Sequence, residues 1–173
     1  MLRQLNGFIL LNGALHVRGL CSQPEWHSLS SSFTGALALH TLYDALLESD
    51  IPFAQDCVAD QFILRDGCVY KLEAETGVLS SLSLSLAEFF VAVEADPTGF
   101  LGMQPLLQHQ RDGGSLQPGQ VLHVYPPFCT HEAAQGVSLK AVPIDEAMSF
   151  LSNFARQVSG LASGEQVRVK VVA

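Results

Sequence analysis

The sequence predicts a single α+β domain, in which helices pack around a mainly antiparallel, curved sheet. Stretches with the two-residue alternation of strands are interleaved with stretches that show the three- and four-residue spacing of helices. An Asp-Gly pair between two apolar runs marks a hairpin, which joins antiparallel neighbours. The 173 residues suit one core, and no linker-like stretch divides them. We therefore predict one domain over residues 1–173.

The charge balance narrows the classes of partner. The chain has 9 Lys and Arg against 17 Asp and Glu, and its net charge is −8. A nucleic-acid backbone would be repelled by this charge, and no basic cluster is present to overcome the repulsion. An acidic surface favours basic protein partners, although solubility alone also explains an acidic balance.

The apolar stretch "GFILLNGALHV" near the N-terminus resembles the core of a signal peptide. Asn12 and His16 interrupt it, and it is far shorter than the roughly 20 residues that cross a bilayer. We therefore expect a cytoplasmic protein that does not engage a membrane. In that compartment the four cysteines are expected to be reduced thiols: Cys21, Cys57, Cys68 and Cys129.

The first third of the chain predicts two helices around an extended segment. "QLNGFILLNGA" is expected to form a short helix, which runs into an extended "LHVRGL". A polar crossing segment with Trp26 follows, and then a helix from roughly Thr34 to Ser49. Four residues of this helix fall on one side and should face the sheet: Leu39, Leu42, Tyr43 and Leu46.

The stretch "IPFAQDCVADQFILRDGCVYKLEAETG", residues 51–77, contains the clearest hairpin. Asp66 and Gly67 tolerate the positive φ that both positions of a tight hairpin turn require. This turn sets the register, with Arg65 opposite Cys68, Leu64 opposite Val69, Ile63 opposite Tyr70, and Phe62 opposite Lys71. Apolar side chains fall on both faces, so the hairpin should lie in the interior of the sheet.

The second half predicts four strands and two helices. After the turn "EAETG", "SSLSLSL" alternates as a strand with one buried face. Ser85 and Glu88 have the spacing of a capping box, which opens the helix "LAEFFVAVEAD". The strands "VLHVYPP" and "GVSLKAVPI" come next, and a helix from about Asp145 to Gly160 follows them. "QVRVKVV" is expected to close the chain as a strand.

Known catalytic and cofactor motifs are missing from the sequence. The possible metal ligands are scattered, without a C-x-x-C or H-E-x-x-H pair, so we expect no metal: Cys57, His109, His123, Cys129 and His131. No Walker loop, dinucleotide fingerprint or G-x-S-x-G elbow is present, so we expect no cofactor. Cys57 or Cys68 could act as a nucleophile only with a histidine that the fold brings to it.

Four carboxylates lie close together around the hairpin: Asp56, Asp60, Glu73 and Glu75. The register places Asp60 opposite Glu73, an unfavourable pair if both are ionised and close. A raised pKa would need burial, which the end of a strand rarely provides. We therefore expect the strand ends to splay and these carboxylates to form an acidic, solvent-exposed surface that binds a partner.

The order of these motifs resembles the SUKH superfamily. The resemblance rests on an N-terminal helix ending near "NG", the segment with Trp26, then "IPFAQD", "DQFIL", "DGCVYKLEAETG" and the helix "SLAEFF". It covers most of the chain and is most specific between Ile51 and Phe90. Many members of this superfamily have a glycine-rich run after the "FA" strand, where this chain has "QDCVAD". The superfamily includes a fungal cell-wall-assembly regulator and bacterial immunity proteins against polymorphic toxins.

The resemblance implies a non-catalytic, intracellular protein-binding module. Its partner would be a protein, and an immunity protein of this kind would neutralise a basic toxin domain. Two alternatives stay open. One is a SUKH-fold protein that binds a small molecule or associates with itself as a homo-oligomer. The other is a hydrolase that depends on the thiols or carboxylates.

Overall fold

Six antiparallel strands follow one another across the main sheet in the order of the chain. In the computed structural model, which describes residues 6–35, 38–161 and 164–165, these strands are β1 (Phe8–Leu10), β2 (Leu15–Val17), β3 (Ile51–Asp56), β4 (Gln61–Arg65), β5 (Cys68–Leu72) and β6 (Leu79–Ser85). A separate antiparallel pair is formed by β7 (Gln120–Tyr125) and β8 (Ser138–Pro143). The predicted α+β class with a mainly antiparallel sheet is confirmed.

The helices of the described residues pack around these sheets. They are α1 (Leu39–Leu42), α2 (Leu86–Ala95), α3 (Pro97–Phe100), α4 (Gln104–Arg111) and α5 (Ile144–Val158). None of these helices is long and apolar enough to cross a membrane.

The central hairpin has the predicted register. Asp66 and Gly67 adopt φ values of 50° and 81°, as the tight turn requires. Arg65 lies opposite Cys68, and the pairing continues in step to Gln61 and Leu72. Strands β4 and β5 are flanked by β3 and β6, so the expectation that the hairpin is internal is confirmed.

Each face of the hairpin is covered by its own apolar cluster. On one face, Phe62 and Val69 pack with Phe89 of α2, and the rings of Phe62 and Phe89 lie 4.8 Å apart. On the other face, Ile63 and Leu72 pack with apolar residues of α5. The two faces explain why neighbouring positions of these strands are both apolar.

The start of α2 is fixed by the predicted capping box. The Ser85 hydroxyl accepts a hydrogen bond from the backbone N–H of Glu88 at 3.3 Å, and Glu88 Oε2 accepts the Ser85 N–H at 2.8 Å. Each side chain therefore satisfies a backbone donor that the first helical turn leaves free.

The predicted N-terminal helix is wrong. Residues 8–17 form a hairpin, in which β1 pairs antiparallel with β2 and Leu10 lies opposite Leu15. Leu11 and Asn12, with φ of 53° and 56°, make the turn ahead of Gly13. The extended prediction for "LHVRGL" holds for β2.

The predicted helix from Thr34 to Ser49 is also wrong over most of its length, since of its described residues only Leu39–Leu42 form an α-helix. Its expected inner side is nevertheless buried at Leu39, Tyr43 and Leu46. Helix α4 has no counterpart among the predicted elements. The predicted closing strand "QVRVKVV" lies outside the described residues.

Replacing Phe89 by Ala should lower the free energy of unfolding by about 3–5 kcal/mol, because the ring is fully buried and its removal leaves a cavity. Val91→Ala in the same helix is the matched control. Val91 is 65% exposed, so its loss should change stability by no more than about 0.5 kcal/mol. Urea denaturation of both variants measures this, and equal destabilisation would contradict the assignment of the helix faces.

Candidate functional site

A cavity of about 390 Å³ opens beside the ends of β4 and β5 that lie away from the Asp-Gly turn. The β3–β4 corner, the β5–β6 turn, β7 and the loop after β7 supply its walls. The hydrogen bond from the Leu122 N–H to the Cys57 carbonyl, at 2.7 Å, holds β7 against the corner. The polar residues of its lining include Asp60, Lys71, Glu73, Glu75, His123 and Cys129, and its apolar residues include Val58, Leu122, Val124, Phe128 and Leu151.

Asp56 ends β3 and lies behind this cavity, with only 2% of its surface exposed. Its Oδ1 accepts the backbone N–H groups of Val58 and Asp60, both at 3.0 Å, and its Oδ2 lies 3.1 Å from Lys71 Nζ. Burial raises the pKa of the Asp56 carboxyl to about 7, and the neighbouring Asp60 charge acts in the same direction. Lys71 and the Val58 N–H only partly oppose this rise.

The expectation that all four carboxylates form an exposed surface is therefore wrong for Asp56. The prediction assumed that the end of a strand stays in water. Here the chain folds back over the strand end, and the carboxylate becomes the acceptor for the turn that covers it. Asp56 cannot touch a partner directly.

Lys71 joins Asp56 to Asp60 by lying between them. Its Nζ is 3.0 Å from Asp60 Oδ2, and Asp60 Oδ1 accepts the backbone N–H of Ala74 at 2.8 Å. Although burial opposes the charge on Lys71, the two carboxylates raise the pKa of its amine above the usual value. The lysine is thus a fixed cation shared by two carboxylates. The predicted register placed Lys71 opposite Phe62, on the strand next to Asp60. The contact of Lys71 with Asp56 was not predicted.

Glu75 fastens the β5–β6 turn to the loop after β7. Its two carboxylate oxygens accept the backbone N–H groups of Phe128 and Cys129, at 2.9 and 3.1 Å. Burial raises the pKa of Glu75, against the effect of these two N–H donors. Glu73 is exposed and accepts the Thr76 hydroxyl at 2.9 Å. Asp60, Glu73 and Glu75 therefore line one cavity, as their proximity in sequence suggested.

The thiols near the cavity are held in the protonated form. Burial and the Glu75 carboxylate raise the pKa of Cys129 to about 11, and burial raises that of Cys57 to about 12. The thiolate, and not the thiol, is the nucleophile of cysteine chemistry. All four cysteines are free, and Cys68 is exposed at the start of β5.

His123 lines the same cavity but is not arranged as a catalytic base for Cys129. Its ring packs edge-on against Phe150 at 4.8 Å, and burial lowers its pKa. Among the described residues, no hydrogen bond joins this ring to a thiol. In the same part of the chain, no group of three or more His, Cys, Asp and Glu side chains is placed to hold a metal ion.

A second cavity, of about 270 Å³, lies beside the first hairpin and the segment before β7. His16 lines it, and the Nε2 of His16 is 2.8 Å from His27 Nδ1. The other ring nitrogen of His16 has no hydrogen-bond partner, yet it is shielded from solvent and so has no surface to offer a ligand. Trp26 packs against the His16 ring at 5.3 Å and helps to cover it. The first cavity is the better candidate.

Comparison with known proteins does not extend these observations. No protein-family model matches the chain, and neither a curated protein nor a solved structure matches it significantly. The resemblance to the SUKH superfamily stays a prediction.

The alkylation of Cys129 should require a high pH, because its thiol is protonated at neutral pH. Glu75→Gln removes the neighbouring charge and should shift the pH profile of the Cys129 alkylation rate downward. Peptide mapping by mass spectrometry after timed iodoacetamide treatment measures both. Cys68, at the far end of β5, is the internal control, and a Cys129 profile that does not move would contradict the role of Glu75.

The stabilising contribution of Asp56 should fall as the pH rises. A carboxyl whose folded pKa is about 7 and whose unfolded pKa is 3.8 binds its proton more tightly in the folded state. Its contribution is therefore complete below pH 4 and is lost as the pH rises toward 7, by about 1.4 kcal/mol for each unit of pKa difference. Asp56→Asn does not titrate and is the reference.

Urea denaturation of the wild type and of Asp56→Asn between pH 4 and pH 8 gives the difference in free energy of unfolding. We expect the free energy of unfolding of the wild type to fall, relative to that of Asp56→Asn, as the pH rises over that range. A difference that stays constant, or that moves in favour of the wild type, would show that Asp56 is not held in this way.

Proposed function

We propose that this protein is a non-catalytic, intracellular protein-binding module of the SUKH type, which binds a basic partner through the 390 Å³ cavity. The partner class that fits is a basic toxin domain, neutralised by the module acting as an immunity protein. The observation that carries the proposal is the lining of the cavity, where carboxylates surround an apolar floor.

The lining suits the side chain of a lysine or arginine. Such side chains bury an apolar stem and keep a charged head at a polar rim. Leu122, Val124 and Leu151 offer the apolar contact, while Glu73 and Glu75 supply charge. Phe128 is 46% exposed and adds an aromatic ring, against which a cation is attracted. Lys71 is the only lysine or arginine among the described residues of the lining, and it is already bound to Asp56 and Asp60.

The same geometry argues against hydrolysis. The raised pKa of Asp56 is the kind of shift found in general acids. A carboxylate mechanism is therefore the strongest of the catalytic alternatives. A general acid must reach its substrate, however, and Asp56 is buried behind Lys71. The thiols are protonated, as described above. Binding is therefore favoured over catalysis.

A small organic cation is a second candidate occupant. The volume of about 390 Å³ falls at the lower end of the range of roughly 300–1,000 Å³ that is usual for small-molecule sites. The carboxylates would select a positively charged molecule over a neutral or anionic one. The protein partner is preferred because exposed Tyr125, at the end of β7, and exposed Phe128, in the loop after it, extend the contact surface beside the cavity.

Charge reversal at Glu73 should slow association with the partner. Affinity capture from the native host identifies the partner, and stopped-flow kinetics at two salt concentrations then measure its association rate. Glu73→Lys should reduce that rate several-fold at low salt, because complementary charges steer encounter. The wild-type rate should also fall as salt screens charges beyond roughly 8 Å.

Glu94→Lys is the matched control, since Glu94 is exposed on α2 and its reversal changes the net charge equally. Both substitutions are at exposed positions and should leave stability within about 0.5 kcal/mol. If both variants slow association alike, only net charge matters and the cavity is not the interface. If neither does, the interface lies elsewhere on the protein.

A further inference from the structure

Asp56, Asp60 and Lys71 form a trio with more negative than positive charge. Lys71 Nζ is shared between the two carboxylates at 3.1 and 3.0 Å, and Asp56 is almost fully buried. Among the residues that the structure describes, two carboxylates and one ammonium leave one negative charge without a cationic partner. When carboxylates share a site out of water, one of them holds a proton more tightly than usual.

Within the described ranges 6–35, 38–161 and 164–165, the other titratable groups facing the trio do not supply the missing positive charge. From the β3–β4 corner and the segment before β3, Cys57 and Tyr43 are kept neutral, because burial raises the pKa of each. From β7, His123 is kept neutral because burial lowers its pKa. Glu73 and Glu75 also line the cavity, and as acidic residues they add no positive charge. Arg156 of α5, near Tyr43, donates to the Thr41 carbonyl.

We propose that the cavity exchanges a proton for the cation of its partner: a lysine or arginine side chain enters beside Asp60, and the proton held by the trio leaves to solvent. The inference rests on the proposed function and adds its regulation by pH. In the exchange, the carboxyl O–H bond breaks and the proton passes to water or buffer. The incoming cation then pairs with the carboxylate that is left.

The position of the trio makes this coupling direct. Asp60 and Lys71 belong to the lining of the cavity, while Asp56 contacts Lys71 from behind. A cation beside Asp60 favours the ionised form of both carboxylates. By linkage, ionisation of the trio strengthens cation binding by the same factor. Binding should therefore tighten as the pH rises through neutrality and should release protons.

The first test needs only the isolated protein. A carbon-13 NMR titration of the aspartate carboxyls should show one carboxyl of the trio titrating well above the ordinary value of about 3.9. Asp60→Asn should lower that midpoint, because it removes a carboxylate while its amide oxygen can still accept the Ala74 N–H. Asp66→Asn in the exposed turn should leave it unchanged, since Asn-Gly suits the same turn. Ordinary titration of both carboxyls in the wild type would overturn the exchange, whether or not the variants fold.

The second test uses N-acetylarginine amide as the probe, because its guanidinium stays charged throughout the range. Calorimetry at pH 6 and pH 8, in buffers with different ionisation enthalpies, should show binding several-fold tighter at pH 8, with proton release. In Asp60→Asn, which shares the histidines of the wild type, the pH dependence should be largely lost.

The outcomes separate this inference from the proposed function. A probe that binds equally at both pH values, without proton release, overturns the exchange and leaves binding intact. A probe that binds at neither pH also overturns it, while a partner whose association still depends on Glu73 keeps the proposed function. If the association of the partner does not depend on Glu73 either, the proposed function is overturned together with the exchange.

Discussion

The arrangement of the cavity depends on one buried carboxylate, that of Asp56. Because Asp56 accepts the N–H groups of Val58 and Asp60, the chain must turn tightly over the end of β3. That turn fixes Asp60, whose own carboxylate accepts the Ala74 N–H and so fixes the next turn. The β5–β6 turn then holds Glu75 where it can accept from the loop after β7. Carboxylates thus link the two turns and the loop after β7, while the Leu122–Cys57 backbone hydrogen bond joins β7 to the β3–β4 corner.

A buried cation, Arg18, similarly links strands β2, β3 and β4. Arg18 follows β2 and donates to the Pro52 carbonyl at 2.7 Å and to the side-chain oxygens of Gln55 and Gln61 at 2.9 and 2.6 Å. These acceptors are uncharged, and burial lowers the pKa of Arg18 to about 10, which still leaves it a cation at neutral pH. A slip in the strand register would leave this buried charge without hydrogen-bond acceptors, and an uncompensated buried charge is strongly destabilising. The arginine therefore specifies how β2, β3 and β4 pair.

Local chemistry made part of the fold predictable from sequence. The Asp66-Gly67 turn and the Ser85 capping box depend on residues adjacent in the chain, so their geometry follows from the residue types alone. The N-terminal hairpin carried a similar signal in Asn12-Gly13, which was outweighed by the apolar run around it. Between Thr34 and Ser49 the apolar spacing correctly marked buried positions, but burial does not require a helix, and turns such as Leu46 N–H to Tyr43 carbonyl place them equally well.

The candidate site was harder to predict because its decisive contacts are distant in sequence. The hairpin register predicted that Asp60 lies opposite Glu73, and Glu75 was grouped with them because it is close in sequence. The burial of Asp56 depends on Lys71, which is 15 residues away, and on β7, which is more than 60 residues away. Phe128 and Cys129 are held at the cavity by hydrogen bonds from their backbone N–H groups to Glu75, more than 50 residues away. No local pattern encodes these contacts.

In the proposed recognition of a cation, a carboxylate acts differently according to how deeply it is buried. Exposed Glu73 can act on a partner at a distance, and an exposed charge mainly changes the rate of encounter and its dependence on salt. Asp60 acts only at contact, and the buried Asp56 acts from behind Lys71. Low dielectric strengthens the field of both carboxylates there, and Lys71 offsets part of it. A mobile ion from solvent gains little there, because Lys71 occupies the centre of the trio. A cation carried on an aliphatic stem gains both the charge and the apolar floor. Under the proposed function, the cavity therefore discriminates by shape among cations that its exposed rim attracts alike.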